Sequence, residues 1–205
     1  MQTMKLLVLY YSSYGHMYEL AKEIAAGAKE AGASVSMKKV PELVPASIIA
    51  GNPGLKRGAE LQKDVPIATI EELPEYDAII FGSPTRFGNM AAQMKNFIDQ
   101  TGGLWSTRKL VDKVAGFFTG ASEMHGGHES TLLTMMVPLM HHGMIIVPVG
   151  SKVQEVSSTQ AGGTPYGPSV LAGPDNSRQM DQIERKLGRD YGRRVAEITK
   201  RLIKE

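Results

Sequence analysis

The sequence predicts an α/β protein in which helices cover both faces of a parallel sheet. Three observations carry that expectation. Short apolar runs of β type alternate with stretches whose apolar residues recur at helical spacing, the pattern of strand–helix–strand units. The first run, Leu6-Leu7-Val8-Leu9-Tyr10-Tyr11, is apolar throughout, as a strand buried on both faces requires. It passes directly into a small polar loop, Ser12-Ser13-Tyr14-Gly15-His16, and then into a helix that starts near Met17.

The remaining elements follow in chain order. In the first helix Met17, Leu20, Ala21, Ile24, Ala25 and Ala28 share a face, and Gly32 is the expected C-terminal cap. Ser34 to Val40 reads as a second, more polar strand at an edge. Tyr76 to Gly82 reads as a third, central one. Met90, Met94, Phe97 and Ile98 then repeat at helical spacing, with Asn89 the expected N-cap. Lys113 to Thr119 is a fourth strand and Met144 to Val149 a fifth. Between them lies a helix around Glu129 to His141, in which Pro138 predicts a kink or an early end. The last helix carries Met180, Ile183, Leu187, Tyr191, Val195, Ile198 and Leu202 as one apolar stripe. Five strands connected in this way suggest the flavodoxin-like order 2-1-3-4-5, in one domain over residues 1–205. Two long Pro/Gly-rich connections, about 41–75 and 151–177, exceed what that order needs and read as functional or interfacial insertions.

Bulk properties exclude several classes of function. Hydrophobic residues make up 42% of the 205, enough for an ordinary core. With 23 basic against 21 acidic residues the formal charge is +2, which gives no footprint for nucleic acid or an anionic membrane. There is no cysteine, so disulfides, thiolate nucleophiles, CxxC pairs and cysteine-held clusters are excluded. Redox chemistry would need a bound organic cofactor. The N-terminal apolar run is too short for a membrane span or a signal-peptide core, so no membrane insertion and a cytoplasmic location are expected.

The loop Ser12 to Met17 has the composition of a phosphate site. A helix amino terminus offers unpaired N–H groups, the two serines add hydroxyl donors, and Gly15 lets backbone approach a ligand. Neither GxxxxGK followed by Ser or Thr nor GxGxxG is present, so a phosphate here would be held without a lysine. The segment Gly82-Ser83-Pro84-Thr85-Arg86-Phe87-Gly88-Asn89-Met90 follows the third strand and should lie beside the first loop, across the point where strand order reverses. Its backbone N–H groups suit the edge of a planar heterocycle, and Arg86 suits negative charge developing on it. A tight turn with a surface arginine is the alternative. His125, His128 and Glu129 are separated by glycines and read as a flexible loop with no metal. His141 and His142 are adjacent on a helix, so at most one faces a given pocket. Trp105, the only tryptophan, reads by composition as core or interface.

The segments LYYSSYGHM, GSPTRFGNM, GGLWS, HHGM and GGTPYG occur in an order that resembles the WrbA-type NAD(P)H:quinone oxidoreductases over nearly the whole chain. That resemblance implies tightly bound FMN, NADH or NADPH as donor, quinone as acceptor and a homotetramer whose active sites are completed by neighbouring subunits. It implies FMN phosphate on Ser12, Ser13, Tyr14, Gly15, His16 and Met17, and the ring along Thr85, Arg86 and Phe87. Thr119, Gly120, Ala121 and Ser122 would border the flavin, and His141 would contact it. Tyr14 would also touch the nicotinamide cofactor, while Trp105 and Tyr166 would line the substrate pocket. Arg86 and His141 are the candidates for a catalytic part. After Thr119-Gly120 the chain reads ASEMHGGHES, a few residues longer than the family's compact glycine-rich run. Two other readings stand beside this one: a one-electron carrier of flavodoxin type, which is usually smaller and acidic, and a regulatory module in which FMN is structural.

Overall fold

The computed structural model describes residues 3–150 and 153–203. In chain order the first half contains β1 (Lys5–Tyr10), α1 (His16–Glu30), β2 (Ser34–Lys39), α2 (Ala46–Gly51), α3 (Pro53–Leu61), β3 (Ala78–Arg86), β4 (Asn89–Met90) and α4 (Ala92–Asp99). The second half contains α5 (Gly102–Ser106), β5 (Val114–Ala121), α6 (His128–His141), β6 (Ile145–Ile146), α7 (Glu155–Ser158), β7 (Ser169–Leu171) and α8 (Gln182–Leu202). The sheet runs β2-β1-β3-β5-β6 with each of these pairs parallel, which is the flavodoxin-like order. Alternation along β1 sorts the core. Leu6, Val8 and Tyr10 pack with α1 and α8 on one face, and Leu7 and Leu9 pack with α4 and α6 on the other.

Seven strands replace the five expected, and the fifth accounts for much of the difference. It is split. β6 pairs with Val114 and Ala115, the chain then leaves the sheet, and β7 returns to pair with Thr119 to Ala121. Part of the expected insertion 151–177 is thus sheet. Its expected first residue, Ser151, lies outside the described residues. The gap leaves the Phe117 N–H without a strand partner, and a side chain fills it. The Tyr191 hydroxyl accepts from Phe117 N at 2.9 Å and donates to the Val147 carbonyl at 2.6 Å. Gly116 makes room, since a β-carbon there would stand 2.8 Å from that hydroxyl. One phenol restores both polar groups that the broken ladder would orphan.

Three further expectations change in detail. Asn89 is not an N-cap. It lies in β4, which folds back on the end of β3, and α4 starts after Ala91, whose N–H donates to Ser83 Oγ at 2.8 Å. α6 runs through Pro138 to His141 without an early end, and the proline costs the helix one N–H donor. The insertion 41–75 is largely structured: the Asn52 side chain accepts from the N–H groups of Gly54 and Leu55, and Pro53 opens α3.

α8 begins with a capping box between Asp181 and Glu184 and lies against α1 along most of its length. The crossing is close because three of its facing positions are glycine. A β-carbon on Gly27 would stand 1.8 Å from the Arg189 carbonyl oxygen, and one on Gly192 would stand 1.9 Å from that of Ile24. Leu187, Tyr191 and Val195 of the expected stripe are buried, but Leu202 is exposed; Gly188, Gly192 and Ala196 do the close packing.

Candidate functional site

The carboxyl ends of β1, β3 and β5 open onto one cleft at the reversal of strand order. Ser12, Ser13, Tyr14, His16 and Met17 form one wall, Pro84, Thr85 and Arg86 a second, and Gly120, Ala121 and Ser122 a third. The sequence-predicted loops therefore meet as expected.

α1 starts at this cleft with no side chain capping it. Its first-turn N–H groups are left for a ligand, with the helix's partial positive charge behind them. Gly15 precedes the helix at φ +101°, a left-handed conformation that a β-carbon disfavours. Its N–H donates to Ser12 Oγ at 3.1 Å, which tightens the loop while the serine proton stays available. Arg86 joins the two loops: Nη2 donates to Ser13 Oγ at 2.9 Å and Nη1 to the Thr85 carbonyl at 2.8 Å. A ring nitrogen of His16 lies 3.0 Å from the Arg178 carbonyl, fixing the far end of the loop.

The first insertion supports this loop from behind. Gln62, just after α3, is buried and donates from Nε2 to the Ser12 carbonyl at 2.7 Å and the Gly58 carbonyl at 3.0 Å. Gly58 is needed for the approach, because a β-carbon there would lie 2.2 Å from the Ser13 carbonyl oxygen. Tyr11 anchors the insertion's start. Its hydroxyl is 3.1 Å from both Glu42 carboxylate oxygens and accepts from Gln93 Nε2 at 2.9 Å. Burial, aided by the Glu42 charge, pushes the Tyr11 phenol up to about 12, so it remains a proton donor.

Several expected contacts are differently placed. Thr119 is fully buried, and its Oγ1 donates to the Ser83 carbonyl at 2.7 Å. It ties β5 to β3, and its side chain does not line the cleft. Phe87 and Gly88 form the hairpin tip between β3 and β4 with φ of 54° and 79°, and the Phe87 ring is entirely exposed outside the cleft. His141 ends α6, whose 14 residues carry it about 20 Å from the helix start beside the cleft. There it stands over Trp105, ring centroids 5.8 Å apart and planes at 35°. Tyr166 is 39% exposed in the segment between β6 and β7. One chain does not bring His141, Trp105, Tyr166 or Phe87 into its own cleft.

Of the 121–128 loop, His125 is exposed and His128 is buried, with Nε2 3.1 Å from the Glu123 carbonyl. Burial holds the His128 imidazole below its ordinary value. Val170, Ala172 and Asn176 also line the cleft and were not anticipated, since the return of the fifth strand reads as loop in sequence. Gln62 was missed as well. The Asn52-Pro53 pair was a readable helix start that pointed to the element before it.

A parallel sheet in this order, with a loop running into an uncapped helix start after its first strand and a cleft between that loop and the next, defines a flavodoxin-like, flavin-binding class of protein. The chain follows the crystal structure of the flavodoxin, WrbA-like protein from Agrobacterium tumefaciens with a TM-score of 0.66 and 25% identity, over 97% of this chain and 99% of that one. Oxidised Flavodoxin 2 from Bacillus cereus matches with a TM-score of 0.62 and 16% identity, over 95% and 99% of the two chains, and bears on the fold alone. Residues 4–155 match the family described as NADPH-dependent FMN reductase, and the chain belongs to that family. NAD(P)H dehydrogenase (quinone) 3 of Rhizobium meliloti is 51% identical over 198 residues, 95% of this chain and 91% of that protein. NAD(P)H dehydrogenase (quinone) of Aromatoleum aromaticum is 47% identical over 204 residues, 98% of each chain. No helix among the described residues is long and apolar enough to cross a membrane.

Proposed function

We propose that this protein is an FMN-dependent NAD(P)H:quinone oxidoreductase. The observation that carries the reading is the convergence of the uncapped start of α1 with Ser12, Ser13 and Arg86 on one cleft at the strand-order reversal. These groups suit FMN: N–H donors, two hydroxyls and a helix dipole for the phosphate, and a second loop beside it for the ring. Bound there, FMN would supply the two-electron hydride chemistry that links NADH or NADPH to a quinone.

The chain's own residues bind, orient and balance charge. Ser12, Ser13, Gly15, His16 and Met17 hold the phosphate end through backbone and hydroxyl groups. Thr85 and Arg86 lie along the ring, with the guanidinium placed to offset negative charge gathering there. Gly120, Ala121 and Ser122 close the opposite side, and Tyr14 flanks the space the nicotinamide would enter. Donor and acceptor use that one space in turn, so the kinetics are ping-pong.

The acceptor side is completed by a neighbouring copy in a homotetramer. Leu133, Val137 and Met140 are 44%, 58% and 52% exposed on α6, spaced as one stripe beside half-exposed Trp105. A helix apolar on its outer face as well as its inner one calls for a cover. Burial of that face would carry His141 and Trp105 toward the cleft of another subunit, where His141 can hold a proton at the quinone oxygen. The location is cytoplasmic, where reduced nicotinamide is supplied, and the domain is one unit over 1–205.

Anaerobic mixing with NADH tests the central claim. The yellow absorbance of the bound flavin should bleach within seconds and return on adding quinone; oxidised absorbance that persists rules the reading out. Sedimentation of a fully active monomer would remove the shared site while leaving the flavin chemistry intact.

A further inference from the structure

His141 has a proposed task, and its neighbour His142 has none, yet His142 is the better fixed of the two. Its Nε2 lies 2.7 Å from Thr101 Oγ1, and its Nδ1 is buried without a partner. The Thr101 hydroxyl has one proton, and that proton goes to the Ile98 carbonyl at 2.6 Å. Oγ1 therefore accepts, and His142 must donate from Nε2–H. The buried Nδ1 then carries the lone pair. A second proton on that nitrogen would have no acceptor, and burial, with His141 adjacent, keeps the His142 imidazole below its ordinary value.

This bond joins two segments that are separate in sequence and that carry the exposed aromatic pair. Thr101 immediately precedes α5, and its carbonyl accepts from Leu104 N at 2.9 Å and Trp105 N at 3.0 Å. His142 immediately follows α6, with its N–H on the Pro138 carbonyl at 3.1 Å. Thr101 is 4% exposed and His142 Nδ1 is buried, so the link is largely shielded from water. The ring pair that its two segments carry is open to solvent, with Trp105 52% exposed. Stacking of two half-exposed rings is worth about 1 kcal/mol, too little to hold a single geometry unaided.

We propose that Thr101 and His142 are positioning residues, whose partly buried hydrogen bond fixes the ends of α5 and α6 so that Trp105 and His141 form one preset surface for the electron acceptor. The bearing on turnover rests on the reading of that pair as the acceptor contact in a neighbouring copy; the positioning itself does not.

The single tryptophan makes the test direct, because all tryptophan emission comes from Trp105. In the FMN-loaded protein, Thr101→Val removes the hydroxyl at nearly constant volume and Thr101→Ser restores it; His142→Phe removes the donor from the other side. Expected for Thr101→Val and His142→Phe are faster local depolarisation and stronger acrylamide quenching of Trp105. KM for 1,4-benzoquinone should rise about fivefold with kcat changed less than about twofold, as for a lost preset contact. Thr101→Ser should return both to wild-type values. Unchanged Trp105 emission in Thr101→Val and His142→Phe overturns the proposal, and so does a Thr101→Ser variant as perturbed as Thr101→Val. A perturbed tryptophan with an unchanged KM upholds the positioning and instead overturns the reading of the pair as the acceptor contact.

Discussion

At the carboxyl edge of the sheet the cleft is held from several sides by contacts made within one chain. At the amino edge, the Trp105–His141 corner is held from beneath and bare above. The first region has Gln62, Arg86, Tyr11 and His16 each tying a loop to something else, all at hydrogen-bond distance. The second has one partly buried bond, between Thr101 and His142, and an apolar stripe whose side chains are about half exposed. A preassembled anchor suits a ligand that stays, since ordering is completed before binding. An open corner suits a surface finished by another molecule. On the proposed function, the contrast separates holding the cofactor from admitting the substrates.

That contrast can be broken at either end. The largest effect is expected at Gly58, where any β-carbon collides with the Ser13 carbonyl. Gly58→Val should push α3 off the phosphate loop and weaken FMN binding about a hundredfold, an overpacking cost of about 3 kcal/mol. Fluorescence titration with FMN measures it, and unchanged affinity would detach the first insertion from the anchor. Next comes the Arg178–Glu184 pair, 2.7 Å apart with the carboxylate fully buried. That carboxylate also accepts from the N–H groups of Gly162, Leu171 and Asp181, linking α8 to the returning fifth strand. Arg178→Met leaves those bonds but strands the charge, so stability should fall by about 2 kcal/mol in urea unfolding. A variant as stable as the parent would show the backbone donors suffice.

At the open end, Val137→Glu puts a charge in the exposed stripe. It should shift sedimentation to smaller species and cut kcat/KM for quinone about tenfold, while FMN stays bound because the anchor is complete in one chain. Loss of FMN from that variant would contradict the separation. The smallest effect is a pH slope. The folded-state pKa of His128 is depressed by burial, so below about 6.5 the unfolded chain takes up a proton that the folded chain does not. Stability should decline as pH falls from that value toward the folded-state pKa, and His128→Asn should flatten the decline. His142 is depressed in the same direction, so the slope is reduced and not abolished. Urea midpoints at about pH 7.5 and pH 5 give the comparison.

What could be read from the sequence follows the same division. β1, β3 and β5 are legible from their buried, almost wholly apolar stretches at residues 6–10, 78–81 and 114–118. Ser12 to Met17 and Pro84 to Arg86 are legible because each follows such a strand. The broken fifth strand was hidden: β6 and β7 are two and three residues long, and the tyrosine that bridges them sits on α8. The tie made by Thr119 was hidden for a related reason, since only the tertiary pairing shows that its hydroxyl is taken by the Ser83 carbonyl. The corner at His141 could be recognised by resemblance. Its distance from the cleft follows from the length and direction of α6, which no local motif records.

The glycine-lined contact between α1 and α8 has a consequence for timing. The helix whose uncapped start opens the cleft is backed by α8, through carbonyls that only a bare α-carbon can approach. While Gln182–Leu202 is still inside the ribosome, α1 has no wall behind it and the anchor is not set. Cofactor loading therefore waits for α8 to dock on α1, and a chain truncated before α8 should emerge colourless.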